Sequence, residues 1–159
     1  MMKLFQDARD YQILFLTGFL ILGVFGRDFT VHLHLMAAVV AAGLITQYAL
    51  ARGTSLKSAW ITVLSLCLLL RANSLLTMIL AGVISILCKF IFRHRGKHFC
   101  NPSNFGIIAV LTITSDAWVT PGQWGEELWY AFLFLGAGAM VVRKVGRWDT
   151  TGAFLLCYF

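Results

Sequence analysis

Charge is scarce in this chain. Asp, Glu, Lys and Arg make up 13% of it and hydrophobic residues 59%. A soluble domain carries roughly 25% charged residues, so most of the chain is expected to sit in lipid. Proline is rarer still, with two in 159 residues, and the glycines are scattered. That leaves no linker and no low-complexity segment, and no repeat at solenoid or propeller spacing. The four cysteines, Cys67, Cys88, Cys100 and Cys157, form no CxxC pair, and three lie in apolar runs. A disulfide framework belongs to small secreted domains without a core, so these thiols are expected to act as small buried hydrophobes. A Gly-rich phosphate loop, a nucleophile elbow and an HExxH pair are all missing, which removes the case for a kinase or a hydrolase. Acids are outnumbered by bases, seven to thirteen, for a net charge of +6. Outside the apolar runs no basic stripe alternates with aromatics, so nucleic acid is not an expected partner.

What the chain does have is apolar runs. A membrane-crossing helix needs about 20 mostly apolar residues. Candidates are residues 11–25, 31–50, 59–70, 74–92, 105–113 and 129–142. The first ten residues are of mixed charge and lack a small-residue cleavage site, so the first run is expected to be an uncleaved span. Joining 59 to 92 in one helix would give about 51 Å, well beyond a hydrocarbon core of about 30 Å. It would also hold Arg71 near mid-bilayer, at roughly 2.5–3.5 kcal/mol. The sequence therefore predicts a tight helical hairpin turning at Arg71, Ala72 and Asn73. The third span is short and is expected to borrow residues 54–58 for its first turn, with Lys57 snorkelling outward. The fifth run is shorter still.

The charges then sort by loop. Arg52 and Lys57 lie between runs two and three, Arg93, Arg95 and Lys97 between four and five, and Arg143, Lys144 and Arg147 after six. The intervening loops hold Arg27 with Asp28, then Arg71, then Asp116, Glu126 and Glu127. Lys and Arg collect in cytoplasmic loops, so this alternation predicts six spans with a cytoplasmic N-terminus. Trp118, Trp124, Trp129 and Tyr130 fall on the acidic side, where an interfacial aromatic belt belongs. After Asp149 the sequence opens another apolar run, 153–159, too short to span. The expectation is a single transmembrane domain over 1–159, cut after Asp149 at the start of a further span or completed by a partner chain, since helix-end carbonyls would otherwise face lipid.

Charge, helix-start chemistry and polar side chains meet at residues 93–106. Asn101 is a strong helix N-cap, and Pro102 suits the first helical position. One outcome is a capped helix start at the interface. Another is a site in which Ser103 and Asn104 line a helix N-terminus open to an anion or a polar ring, as short or broken helices do in transporters. His94, His98 and Cys100 have no acidic ligand beside them and are crowded by Arg and Lys, so no metal is expected. His32 and His34, two apart, are expected on different helix faces. Gln47, Asn73 and Asp116 are expected to hydrogen-bond across helices, Asp116 being the residue to watch for proton or cation handling. Gly136, Gly138 and nearby alanines give the sixth run a small-residue face suited to close helix packing.

The ordered set Gly96-Lys-His-Phe-Cys-Asn-Pro-Ser-Asn-Phe-Gly106, Val119-Thr-Pro-Gly-Gln-Trp-Gly125, Gly146-Arg-Trp-Asp-Thr150 and Asp7-Ala-Arg-Asp-Tyr-Gln12 resembles one membrane family. Its members are the B subunit of the sodium-pumping NADH:quinone oxidoreductase, the D subunit of the Rnf electron-transport complex, and stand-alone relatives of cyanobacterial type, to which the chain looks closest. The resemblance implies an all-α, polytopic bundle forming one half of an inverted-repeat, urea-transporter-like fold in a bacterial inner or thylakoid membrane. It also implies other membrane subunits or a second half-bundle as partners. Larger members esterify flavin to a Thr in a Ser/Thr-Gly-Ala-Thr motif. Here Thr151-Gly-Ala-Phe154 ends in Phe, so no covalent flavin site carries over. Asn101, Pro102 and Asn104 carry over as the element near a noncovalent flavin or quinone. Three functions follow: an electron-transport subunit, a small-solute channel or transporter of similar fold, or a chain that inserts without chemistry of its own. No catalytic residue is assigned in any of them.

Overall fold

The computed structural model describes residues 7–27, 29 and 32–158. Asp28, Val31 and Phe159, which the sequence assigns to the first outer loop, the start of the second span and the final apolar run, lie outside the described residues, as does most of the N-terminal segment. Seven α-helices are described: α1 (Ala8–Gly26), α2 (Leu33–Leu50), α3 (Lys57–Leu69), α4 (Leu75–Ile91), α5 (Pro102–Ile113), α6 (Leu128–Val145) and α7 (Trp148–Tyr158). The all-α expectation holds. α1, α2 and α6 are long and apolar enough to cross a membrane. α4 is 17 residues long. α3 and α5 have 13 and 12 residues, about 20 and 18 Å of helix, so the third and fifth runs are short as expected.

Each short helix ends in a strand, and the two strands pair. β1 (Leu70–Ala72) follows α3, and β4 (Ala117–Val119) follows α5, antiparallel, with Arg71 opposite Trp118. The break between α3 and α4 therefore falls where the sequence puts it, but it is not a tight helical hairpin. Where helices stop, backbone N–H and C=O groups need partners. The ladder supplies them, extended by Asn73 N–H to the Asp116 carbonyl (3.2 Å) and Thr120 N–H to the Leu69 carbonyl (3.3 Å). Arg71 is not a loop residue either. It is buried, and its guanidinium donates to the Cys67 and Leu70 carbonyls at 2.9 and 2.8 Å and to Gln123 Oε1 at 2.8 Å. It thus caps the open end of α3, where a cation suits the helix dipole.

The second ribbon is the basic turn itself. β2 (Arg93–His94) pairs with β3 (Lys97–His98), closed by Arg95 and Gly96 at φ 49° and 79°. Two successive positive φ values define the two-residue turn that matches strand twist. α3 starts at Lys57, later than predicted, and the Lys57 ammonium pairs with Asp10 at 2.5 Å.

Successive helices run between two polar ends. At one, Asp10 meets Lys57, Lys89 reaches Ser58, and Lys144 lies over the Tyr11 ring. At the other, Arg27 pairs with Glu127 at 3.0 Å, Arg71 meets Gln123, and Asp116 receives Ser74. The aromatics assigned to a belt divide between surface and interior. Trp118 and Trp129 are exposed, but Tyr130 is buried, and Trp124 packs edge-on against Phe29 (5.0 Å) and Phe134 (4.9 Å).

The core joins Leu35 and Val39 of α2, Leu66 and Cys67 of α3, Met78 and Ala81 of α4, and Ile107 and Val110 of α5. Glycine sets its closest approaches. A Cβ at Gly82 would meet the Val39 carbonyl at 2.8 Å, and one at Gly106 would run into Ser85 Oγ. A Cβ at Gly136 or Gly138, expected at a close helix contact, would meet no neighbouring element within 4 Å among the described residues, so α6 is not held close at these two positions. Overpacking costs about 1–3 kcal/mol. Gly82→Leu is therefore expected to lower the thermal midpoint in detergent micelles by several degrees, while Gly136→Leu leaves it unchanged; equal midpoints would overturn the assigned α2–α4 contact.

Candidate functional site

The polar start of α5 is a capped helix N-terminus. Asn101, extended at φ −72° and ψ 118°, accepts through Oδ1 from Ser103 N–H (3.1 Å), Asn104 N–H (3.4 Å) and Ser103 Oγ (3.0 Å). Pro102 takes the first helical position, where its missing N–H costs nothing. The N–H groups the sequence offered to an anion are thus engaged by the cap itself. Asn104 is exposed, whereas Ser103 is buried.

Beside this cap lies a cleft of about 690 Å³ between α1, α3, α5 and α6, within the range of small-molecule sites. Asn101, Pro102 and Ser103 line it; Asn104 does not. One wall carries hydroxyls of α3, from Ser58, Thr62 and Ser65. Spacings of four and three place them on one helix face. The Thr62 and Ser65 hydroxyls donate to the Ser58 and Ile61 carbonyls at 2.9 and 2.8 Å, which leaves oxygen lone pairs free to accept. The facing wall is aromatic: Phe19 meets Phe134 edge-on at 4.6 Å, and Phe15 stacks near Phe19. Ala137 and Gly138 also line the cleft, so the small residues of α6 make room for a cavity instead of a helix contact.

Two features of this end were missed in the sequence. Lys89 sits inside the fourth apolar run, is buried, and donates from Nζ to the carbonyl and Oγ of Ser58 at 2.9 and 3.1 Å. The hydroxyl face of α3 was legible from its spacing alone. Elsewhere, His32 is the residue before α2 and not part of it, so its ring comes within 5.5 Å of that of His34; helical spacing does not govern the pair. Gln47 is buried with Oε1 unpartnered among the described residues, so the expected bond through that oxygen is not formed there.

No family model, curated protein or solved structure matches the chain.

Asp116 is placed as a helix cap. Its carboxylate accepts from Thr77 Oγ1 (2.8 Å) and Ser74 N–H (2.9 Å) at the start of α4. The Thr77 hydroxyl, aided by the Ser74 N–H, holds its pKa below the ordinary 3.8, and together they outweigh the opposing effect of burial. A depressed folded-state pKa stabilises above the unfolded value and is lost as pH falls through the folded one. The thermal midpoint of the wild type is therefore expected to exceed that of Asp116→Asn by a constant margin at neutral pH, shrinking below about pH 4. A margin unchanged down to pH 3 would contradict the assignment.

Proposed function

We propose that the protein is an integral-membrane subunit of an electron-transport system of the Rnf and sodium-pumping NADH:quinone oxidoreductase kind. In this proposal it crosses the bilayer six times with a cytoplasmic N-terminus, and other membrane subunits or a second half-bundle are its partners. The cleft beside the α5 cap holds a noncovalent, planar redox ring, a flavin or a quinone. The single observation that carries the proposal is the two-sided lining of that cleft. Hydroxyl oxygens on α3 suit the polar edge of a conjugated ring, and Phe15, Phe19 and Phe134 suit its face. Aromatic pairs favour edge-on or offset contact, and a few convergent polar groups in an apolar cleft are the usual make-up of a cofactor site. Asn101 and Pro102 stay in this site as the structural edge of the cleft, and Asn104 drops out of it. The sequence resemblance supplies the choice of chemistry.

The hydroxyl face of α3 also favours a second function, passage of a small polar solute. The two part on one experiment. Protein purified in mild detergent is titrated with flavin mononucleotide and with a short-chain ubiquinone, read by flavin fluorescence and by quinone absorbance. Saturable binding is expected for one of the two, at least tenfold weaker in Gly138→Leu, which fills the cleft, and unchanged in Gly136→Leu, which does not. No binding of either, with solute flux in proteoliposomes blocked by Gly138→Leu, would replace electron transport with transport.

A further inference from the structure

Two cysteines meet at the basic end of the bundle. Cys88 lies in the last turn of α4, and Cys100 immediately precedes the Asn101 cap of α5. Their sulfurs are 3.6 Å apart, the Cys100 thiol donating to Cys88 Sγ, which itself donates to the Ser85 carbonyl at 3.2 Å. Both are free thiols. Cys88 is 1% exposed, whereas Cys100 is only partly covered. Between them in sequence runs the basic ribbon of β2 and β3. An accessible sulfur touching a buried one is the arrangement of an attacking thiol with its resolving partner.

We propose that Cys88 and Cys100 are a reversible redox pair, a modification site that takes a small-molecule disulfide of the glutathione type as its oxidant. Cys100 loses its proton and attacks one sulfur of the external disulfide. That S–S bond breaks, one glutathione leaves as a thiolate and takes up the proton, and a mixed disulfide remains on Cys100. Cys88 then loses its proton and attacks Cys100 Sγ, expelling the second glutathione, which is protonated in turn. One S–S bond forms in the protein and one is broken in the oxidant. Two electrons pass from the dithiol to glutathione disulfide, and excess reduced glutathione reverses both steps. The bond ties the ribbon to α4, and because Asn101 lines the cleft, it fixes that edge of the cavity. The pair is independent of what the cleft binds. Cys67, in the core, and Cys157, on α7, serve as internal references.

The test uses the full chain in detergent, reduced and then equilibrated across ratios of reduced to oxidised glutathione. Samples are acid-quenched, alkylated under denaturing conditions, digested and weighed by mass spectrometry. In the wild type, alkylation of Cys88 and Cys100 is expected to fall together as oxidised glutathione rises. A linked peptide pair lighter by two hydrogens appears, with no lasting glutathione on Cys100. In Cys88→Ser, Cys100 is expected to accumulate the mixed disulfide instead. Wild-type thiols that stay alkylatable at every ratio would overturn the proposal. So would a stable glutathione adduct on wild-type Cys100, or a link from either residue to Cys67 or Cys157.

Discussion

The structure depends on how backbone polar groups are satisfied where α3 and α5 stop short. In an apolar surrounding an unpaired N–H or C=O costs several kcal/mol, and helices of 13 and 12 residues leave such groups unpaired at both ends. At one end the solution is β1 paired with β4, with Arg71 turned back onto the last carbonyls of α3 and Gln123 held between Arg71 and the Leu68 carbonyl at 2.6 Å. At the other end α5 is closed by Asn101 and Pro102. Because both breaks are satisfied from within, two helices too short to cross alone fit a bundle whose other members are longer.

The same economy positions the cleft. α5 begins at the basic end of the bundle, and α6 touches α1 through Phe19 and Phe134 while a cleft separates it from α3. The space left is lined on one side by hydroxyls that already bond their own helix and on the other by rings. Lys89 then fixes Ser58 at one edge of that space. The cleft is thus bounded by the capped start of α5 and by three other helices, α1, α3 and α6.

Much of this could be read from the residues. The apolar runs give the helices, the excess length of residues 59–92 with Arg71 at their middle gives the α3–α4 break, and Asn101 with Pro102 gives the start of α5. Each is a local signal. What could not be read is non-local or depends on a neighbour. Pairing of Leu70–Ala72 with Ala117–Val119 joins segments far apart in sequence. The inward turn of Trp124 depends on Phe29 and Phe134. The glycines of α6 read as a contact face, yet close approach falls at Gly43, Gly82 and Gly106, since small residues permit contact without requiring it. Of the three positions tied to a ring site, Asn101 and Pro102 border the cleft and Asn104 does not, because helix geometry turns residue 104 away from the face that residue 103 buries.

The central claim is that the two polar ends of the bundle lie on opposite sides of a membrane. Single-cysteine variants His94→Cys and Glu126→Cys, in a chain with its native cysteines replaced by serine, test it most directly through labelling of intact cells with an impermeant maleimide. The account predicts that residue 126 labels from outside and residue 94 only after the membrane is opened. Labelling of both from the same side, or recovery of the protein in the soluble fraction, would contradict it.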